Sequence, residues 1–173
     1  MSTVEKKSLV IIGSGFAGMN LIKSLKRDSY DITVIDKTNH HLFQPLLYQV
    51  ATAGLSINDI AMPIRELFKK RKDIHIVLGE VALINKNEKY LNLKDGRKIT
   101  YDLLVIASGN EPNYYGHDDW KKVTVPLKTL KDAVKLRNKI LVSFEKAENQ
   151  KKQTNQDRFL RFVIVGGGPT GVE

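Results

Sequence analysis

Hydrophobic and polar positions along the chain change period several times. Residues 8–13, SLVIIG, and 30–37, YDITVIDK, are near-continuous β-branched runs, as expected of parallel strands buried on both faces. Between them, FAGMNLIKSLKRDS places Met19, Leu21, Ile22 and Leu25 on one face of a helix. Farther on, DIAMPIRELFKKRKD is apolar at helical spacing, with Ile60, Ile64, Leu67 and Phe68 inward, and IHIVLGEV predicts a third strand. The stretch VALINKNEKYLNLKDGRKITYDLLVIASG divides into short strands with turns at KNEK and KDGR, the second carrying a hairpin-favouring Asp-Gly pair. It predicts a β-meander that crosses over from the third strand to a fourth, DLLVIA. TLKDAVKLRNKILVSFEKAE predicts a long amphipathic helix, NQKKQTNQD a polar linker, and FLRFVIV a strand from Phe162 to Val165.

This order predicts an α/β fold. A Rossmann-like domain with a parallel sheet and a meander crossover occupies residues 1–149, and a linker follows at 150–158. The first strand and glycine turn of a second Rossmann-like unit lie at 159–173.

The turns between these elements carry the chemistry. GSGFAG sets Gly13, Gly15 and Gly18 at GxGxxG spacing, enclosing Ser14, Phe16 and Ala17, after one strand and at the start of a helix. In such a turn the first glycine permits the tight bend, the second admits a pyrophosphate close to the backbone, and the third lets helix pack on strand. The helix N-terminus offers unpaired amides and a positive dipole end to phosphate. Asp36 ends the next strand about 20 residues on, where a carboxylate accepts hydrogen bonds from the ribose hydroxyls and repels a 2′-phosphate. FAD or NAD therefore fits better than NADP. VGGGPTG repeats the pattern with Gly166, Gly168 and Gly171, so two dinucleotide sites are expected, usually a flavin in the first and a pyridine nucleotide in the second. A pair of structural glycine turns without ligands is the plainer alternative.

Composition narrows the classes. The chain has no cysteine, which excludes disulfides, thiolate metal ligands and dithiol redox chemistry within these 173 residues. No signal peptide is recognisable, and no apolar run approaches the roughly 18 residues of a membrane helix. A reduced, cytoplasmic setting is expected. The charge of +9 comes from scattered lysines that read as a solvated surface or as attraction to anionic lipid. No nucleic-acid-binding signature accompanies it. His40 and His41 lack an acidic or cysteine partner at ligand spacing, so no metal is expected. They open NHHLFQPLLYQVATAG, a segment too apolar for a solvated loop and interrupted by Pro45; Leu42, Phe43, Leu46 and Leu47 suit a plug beneath a long loop.

In the order of fingerprint, acid, meander, TYDLLVIASGNEP and second fingerprint, the chain resembles the two-dinucleotide-domain flavoprotein reductases, with Ser108 where threonine is usual. DKTNHHLFQPLLYQVATAGLSINDIAMPIR, NYYG and GGGPTGVE narrow the match: the whole chain is similar to the type II NADH dehydrogenases, the single-subunit NADH:quinone oxidoreductases. The resemblance implies FAD as cofactor, NADH as substrate and quinone as acceptor. It places Gln44, Pro45 and Leu46 beside the flavin ring, where an apolar surface receives the quinone. It implies that His41 touches the phosphates or ribitol of FAD, Lys37 lies beside the adenosine, and Val81 contacts adenine through its backbone. Ala107, Ser108 and Gly109 approach the pyrophosphate. Glu173 lies near the nicotinamide and flavin rings, in proton transfer or nicotinamide positioning; a favourable acid early in a helix is the bland alternative. His40 and His75 read as structural, and His117 as a residue able to approach a ligand.

The family further implies peripheral attachment to the inner face of the cell membrane through a C-terminal region absent here, and allows a homodimer. On this reading the chain is an N-terminal fragment with weak or absent flavin, no measurable NADH affinity and no turnover of its own. A ferredoxin or rubredoxin reductase and a non-catalytic nucleotide-binding remnant remain alternatives. Dithiol reductases and sulfide:quinone oxidoreductases act through cysteines, which this chain lacks.

Overall fold

The computed structural model describes residues 6–151 and 153–173. In chain order it contains β1 (Ser8–Ile12), α1 (Phe16–Ser24), β2 (Asp31–Asp36), β3 (His40–Leu42), α2 (Leu47–Ala51), α3 (Ile57–Ile60) and β4 (Ala61–Pro63). There follow α4 (Ile64–Leu67), β5 (Ile74–Leu78), β6 (Val81–Asn85), β7 (Tyr90–Leu93), β8 (Lys98–Thr100), β9 (Leu103–Ile106), α5 (Leu130–Glu148), α6 (Gln153–Leu160) and α7 (Pro169–Val172). Single 3-10 turns cover Gln44–Leu46 and Asp118–Lys122. These elements form two compact units, Met1–Leu42 with Ala61–Asn110 and Phe43–Ile60 with Glu111–Glu173, a division by packing that does not follow chain order.

The first unit is a three-layer sandwich. Its central sheet has the order β5-β2-β1-β9, all parallel, with Ile11 opposite Val34 and Val105. Alternate residues of these strands face opposite layers. Leu9, Ile11, Ile32 and Val34 pack with Met19 and Ile22 of α1, Ile64 of α4 and Phe68. Val10 and Ile35 pack on the other side with Leu91, Leu93 and Tyr101 of the antiparallel β6-β7-β8 meander. Two covered faces explain why the strands read as unbroken β-branched runs. At the opposite edge from the glycine turn, Asp73 receives a two-pronged bond from Arg71 (Nε 2.8 Å and Nη2 2.6 Å) and accepts the Asp28 amide. The bond from Arg71 holds the buried Asp73 carboxyl far below the usual carboxylate range. Its backbone carbonyl receives the Ile32 amide, so the ion pair fixes where β2 begins.

The single helix expected over DIAMPIRELFKKRKD is instead two short helices separated by a strand. Ala61–Pro63 pairs antiparallel with β3, His41 opposite Met62, and this ribbon takes precedence over the helical pattern. Pro63 cannot donate to a ladder or continue a helix, and accordingly sits at the ribbon's end. Ile60, Ile64 and Phe68 are nonetheless buried, as their spacing anticipates.

In the second unit, α5 packs against α2 and α6. A capping box opens α5: Thr129 Oγ1 accepts the Asp132 amide and Asp132 accepts the Thr129 amide. Of the four residues expected as a plug, Leu47 is buried with Val50 and Ala51 of α2, Leu42 and Leu46 are half-buried, and Phe43 is exposed. Two expectations are corrected here. The polar stretch NQKKQTNQD, expected as a linker, is helical from Gln153, with Gln156 and Phe159 half-buried and Gln156 Nε2 donating to the Gln150 carbonyl. Phe162–Val165 is not a strand. Among the described residues no other strand pairs with it, and Val163 and Ile164 are 81% and 70% exposed. Strand propensity without a ladder partner does not make a strand.

Ile22 is fully buried between α1 and the sheet, so Ile22→Ala is expected to cost about 2–5 kcal/mol by lost burial plus cavity. Urea unfolding of the variant checks this, and a loss below about 1 kcal/mol would show the helix layer to be loosely packed.

Candidate functional site

The carboxyl ends of β1, β2 and β9 meet at the first glycine turn. Gly13 adopts φ +102°, and a Cβ there would fall 2.3 Å from the Ala107 carbonyl oxygen, so only glycine makes this bend against β9. At Gly18 a Cβ would lie 2.0 Å from the Gly13 carbonyl oxygen, so the third glycine lets α1 rest on the turn. Gly15 differs from both. Its φ of −69° suits any residue and a Cβ would meet nothing within 4 Å. Neither backbone strain nor internal packing requires glycine there. The space it keeps clear faces outward at the start of α1, where first-turn amides and the dipole end favour an anion.

Ser14, buried between these glycines, is bonded through every polar group it has. Its amide and hydroxyl both donate to Asp36 Oδ2, at 2.7 and 2.6 Å. Its carbonyl accepts from His41 Nδ1 at 2.8 Å. Since a carbonyl only accepts, this bond fixes the Nδ1–H form of His41, whose ring also stands edge-on to Phe16 with centres 5.5 Å apart. Asp36 Oδ1 accepts the amide and hydroxyl of Thr38 at 2.7 and 2.8 Å. Burial pushes the Asp36 carboxyl up, and the four bonds from Ser14 and Thr38 outweigh it, leaving the group below its ordinary value. The carboxylate is therefore ionised at neutral pH and held in one orientation.

The first unit thus gathers Gly13, Ser14, Gly15, Phe16, Ala17, Gly18, Asp36, Lys37, His41, Ala107, Ser108 and Gly109 along one sheet edge. Val81 begins β6, just past the end of β5, opposite Leu93. Lys37, Ser108 and Gly109 are exposed, and Gly109 bends with φ +73°. Sequence reading missed Thr38 and Arg97. Arg97 Nη2 donates to the Leu78 carbonyl at 2.6 Å and latches the meander's KDGR turn onto the end of β5. Thr38, two residues past Asp36, was open to discovery as a side chain able to bond back to that carboxylate; Arg97 needed the tertiary fold.

Other expected positions lie in the second unit. Gln44, Pro45 and Leu46 form its 3-10 turn, and Gln44 Oε1 accepts from Lys128 Nζ at 3.4 Å, a partner 84 residues away. The second glycine turn repeats the first locally: Gly166 has φ +106°, a Cβ on Gly171 would lie 2.2 Å from the Gly166 carbonyl oxygen, and Gly168 has open space. Unlike Gly13, Gly166 has nothing within 4 Å of its would-be Cβ. Glu173 is exposed and its amide donates to the Pro169 carbonyl. His117 stacks on Trp120 with ring centres 4.3 Å apart. His75 is an exposed β5 residue beside Asp31, at 3.4 Å. Among the described residues no three His, Cys, Asp or Glu groups come together as a metal site, and no helix is long and apolar enough to cross a membrane.

The family profile described as "Pyridine nucleotide-disulphide oxidoreductase" matches residues 7–173. The chain is 46% identical over 168 residues to the type II NADH:quinone oxidoreductase NdhA of Mycobacterium tuberculosis, covering 95% of this chain and 36% of that protein. With Ndh, a second type II NADH:quinone oxidoreductase of that organism, identity is 42%, over 98% of this chain and 37% of the relative. The solved structure of NDH2 from Plasmodium falciparum in complex with NADH superposes with a TM-score of 0.87 at 31% identity, covering 98% of this chain and 36% of that one. The chain therefore spans little more than a third of the length of these relatives.

Gly15 and Gly18 are expected to respond oppositely to alanine. Gly18→Ala forces its Cβ onto the Gly13 carbonyl and should destabilise the fold by about 1–3 kcal/mol or more. Gly15→Ala should cost less than about 1 kcal/mol, the difference between glycine and alanine at a helix N-cap. Chemical denaturation of both variants checks the contrast, and equal losses would contradict the assignment of the two roles.

Proposed function

Because the chain belongs to the pyridine nucleotide-disulphide oxidoreductase family, we propose that it supplies the flavin-binding part of a longer NADH:quinone oxidoreductase of type II. The observation that carries this reading is the first glycine turn. Gly15 is a glycine without an internal reason, at the mouth of a nine-residue helix, beside an oriented and ionised Asp36. A pyrophosphate fits over Gly15 and a ribose diol fits at Asp36, so the residues present suit FAD. When bound, FAD supplies the ring that takes electrons from NADH and gives them to quinone.

The protein's own groups then divide the work. The start of α1, with Ser14, Phe16, Ala17 and Gly18, holds the pyrophosphate, and Gly13 bends the chain out of its way. Asp36 orients the adenosine ribose, Lys37 lies beside it, and Val81 meets adenine with its backbone. Ala107, Ser108 and Gly109 close the pyrophosphate side. His41 keeps the turn in place through Ser14 and faces the phosphates or ribitol. Gln44, Pro45 and Leu46 flank the flavin ring and give the quinone an apolar surface. Gly166, Gly168 and Gly171 open the NADH site, whose unit starts at 159 after a flavin domain ending at 149. Glu173 holds or moves a proton near the reacting rings.

The absence of cysteine in these 173 residues favours this reading over a dithiol mechanism, despite the family's name. In the whole enzyme we place the protein on the cytoplasmic face of the cell membrane, held peripherally and compatible with a homodimer. The charge of +9 supports attraction to anionic lipid there.

The test uses the full-length enzyme. Its ultraviolet–visible spectrum is expected to show bound flavin, and Asp36→Ala should weaken FAD binding by roughly 1.5–3 kcal/mol for each charged hydrogen bond lost. Fluorescence titration of the apoprotein measures this, and equal affinity in variant and parent would remove Asp36 from the site. Glu173→Gln is expected to keep flavin content and fold while slowing quinone-dependent NADH oxidation, followed by absorbance of NADH across pH. Unchanged rates at every pH would take Glu173 out of the reaction.

A further inference from the structure

The Asp36 carboxylate is full. Two oxygens offer about four lone-pair positions, and four donors occupy them: Ser14 N and Oγ on Oδ2, Thr38 N and Oγ1 on Oδ1. A ribose hydroxyl donating to this carboxylate must displace one of the four. Both amides are fixed by the backbone, which leaves the two hydroxyls. The Ser14 hydroxyl is buried with its serine, and Asp36 is its one acceptor among the described residues. Turning it away would strand a buried O–H, a costly step. The Thr38 hydroxyl is differently placed. It is exposed and has two acceptors in reach, Asp36 Oδ1 at 2.8 Å and the His40 carbonyl oxygen at 3.2 Å, with one proton to give.

We propose that Thr38 is a specificity-determining residue, a hydroxyl switch that releases Asp36 Oδ1 to the adenosine ribose by turning its proton to the His40 carbonyl. This rests on the ribose role of Asp36 given above. No heavy atom has to travel, because Oγ1 already lies between its two acceptors. Ser14 keeps Oδ2 throughout, so Oδ1 alone is the oxygen presented to the ligand. The exchange trades a charge-assisted bond for a neutral one, a cost that sets how strongly the diol must bind. It also strengthens the tie between the ribose loop and the first residue of β3, so occupancy of the ribose site steadies the ribbon that carries His41.

The proposal makes a prediction opposite to that of a merely supporting residue. In the apoprotein of the full-length enzyme, Thr38→Val removes the competing donor and should raise affinity for FAD and ADP about threefold to tenfold, the usual margin between charge-assisted and neutral hydrogen bonds. Thr38→Ser keeps the hydroxyl and should bind like the parent. The gain in Thr38→Val should vanish for 2′,3′-dideoxy-ADP, which has no diol to compete. Thermal melting confirms that both variants are folded, and Asp36→Ala is titrated alongside. If Asp36→Ala loses affinity but Thr38→Val is unchanged or weaker with ADP, the hydroxyl only supports the carboxylate and the switch is refuted while the ribose site stands. If Asp36→Ala has no effect, the ribose site and the switch fall together.

Discussion

The three-way bonding of Ser14 is the constraint on which the rest of the site depends. One buried residue ties three strands together. It follows β1, its amide and hydroxyl hold the carboxylate that ends β2, and its carbonyl is held by His41 of β3. Without these bonds a buried amide, hydroxyl and carbonyl would go unsatisfied, so the turn has one low-energy arrangement. That arrangement presents the open side of Gly15 and the start of α1 together with an ionised, oriented Asp36. A site made this way has its backbone and the Asp36 carboxylate held in place by its own hydrogen bonds, the preorganisation that lowers the cost of binding.

The sheet beneath makes the turn reproducible. Covering both faces, helices on one and the meander on the other, buries the central strands β1 and β2 and fixes their register. Register in turn decides which carbonyls close on the glycines. The Ile35 carbonyl receives the Gly13 amide, and Ala107, whose amide bonds to Ile12, brings its own carbonyl against Gly13. The second glycine turn shows how much of this is local. Gly166 and Gly171 reproduce the φ and the close approach of Gly13 and Gly18, although no strand pairs with Phe162–Val165 among the described residues. The bend belongs to the glycines; the clamp around it belongs to the sheet.

The segment that begins NHHLFQPLLYQVATAG owes its character to several neighbours. Its opening histidines join a two-stranded ribbon with Ala61–Pro63, and its next turn, Gln44–Leu46, carries Pro45 at its start, where a missing amide costs nothing. Its apolar end, Leu47–Ala51, is a helix packed on α5. A run that looks uniformly apolar is thus divided among three environments, and two of its polar residues meet distant partners, His41 the Ser14 carbonyl and Gln44 the Lys128 ammonium.

By itself the sequence determined everything that depends on short-range geometry. The glycine turns and the helical stripe of α1 specify bend and helix, and the β-branched runs carry the preference for strand, because φ and side-chain period are local properties. The acid at the end of β2 and the Asp-Gly hairpin were legible for the same reason. Tertiary structure decided what depends on a distant partner. Ile57–Leu67 has helical periodicity yet is interrupted by β4, since β3 offers a ladder to residues 61–63. Gln153–Leu160 is polar yet helical, since α5 gives it a surface. Phe162–Val165 has every strand preference and forms none, since a strand is completed only by its neighbour's hydrogen bonds. The second acceptor within reach of Thr38 belongs to the same class: the His40 carbonyl, at the start of β3, stands 3.2 Å from its hydroxyl.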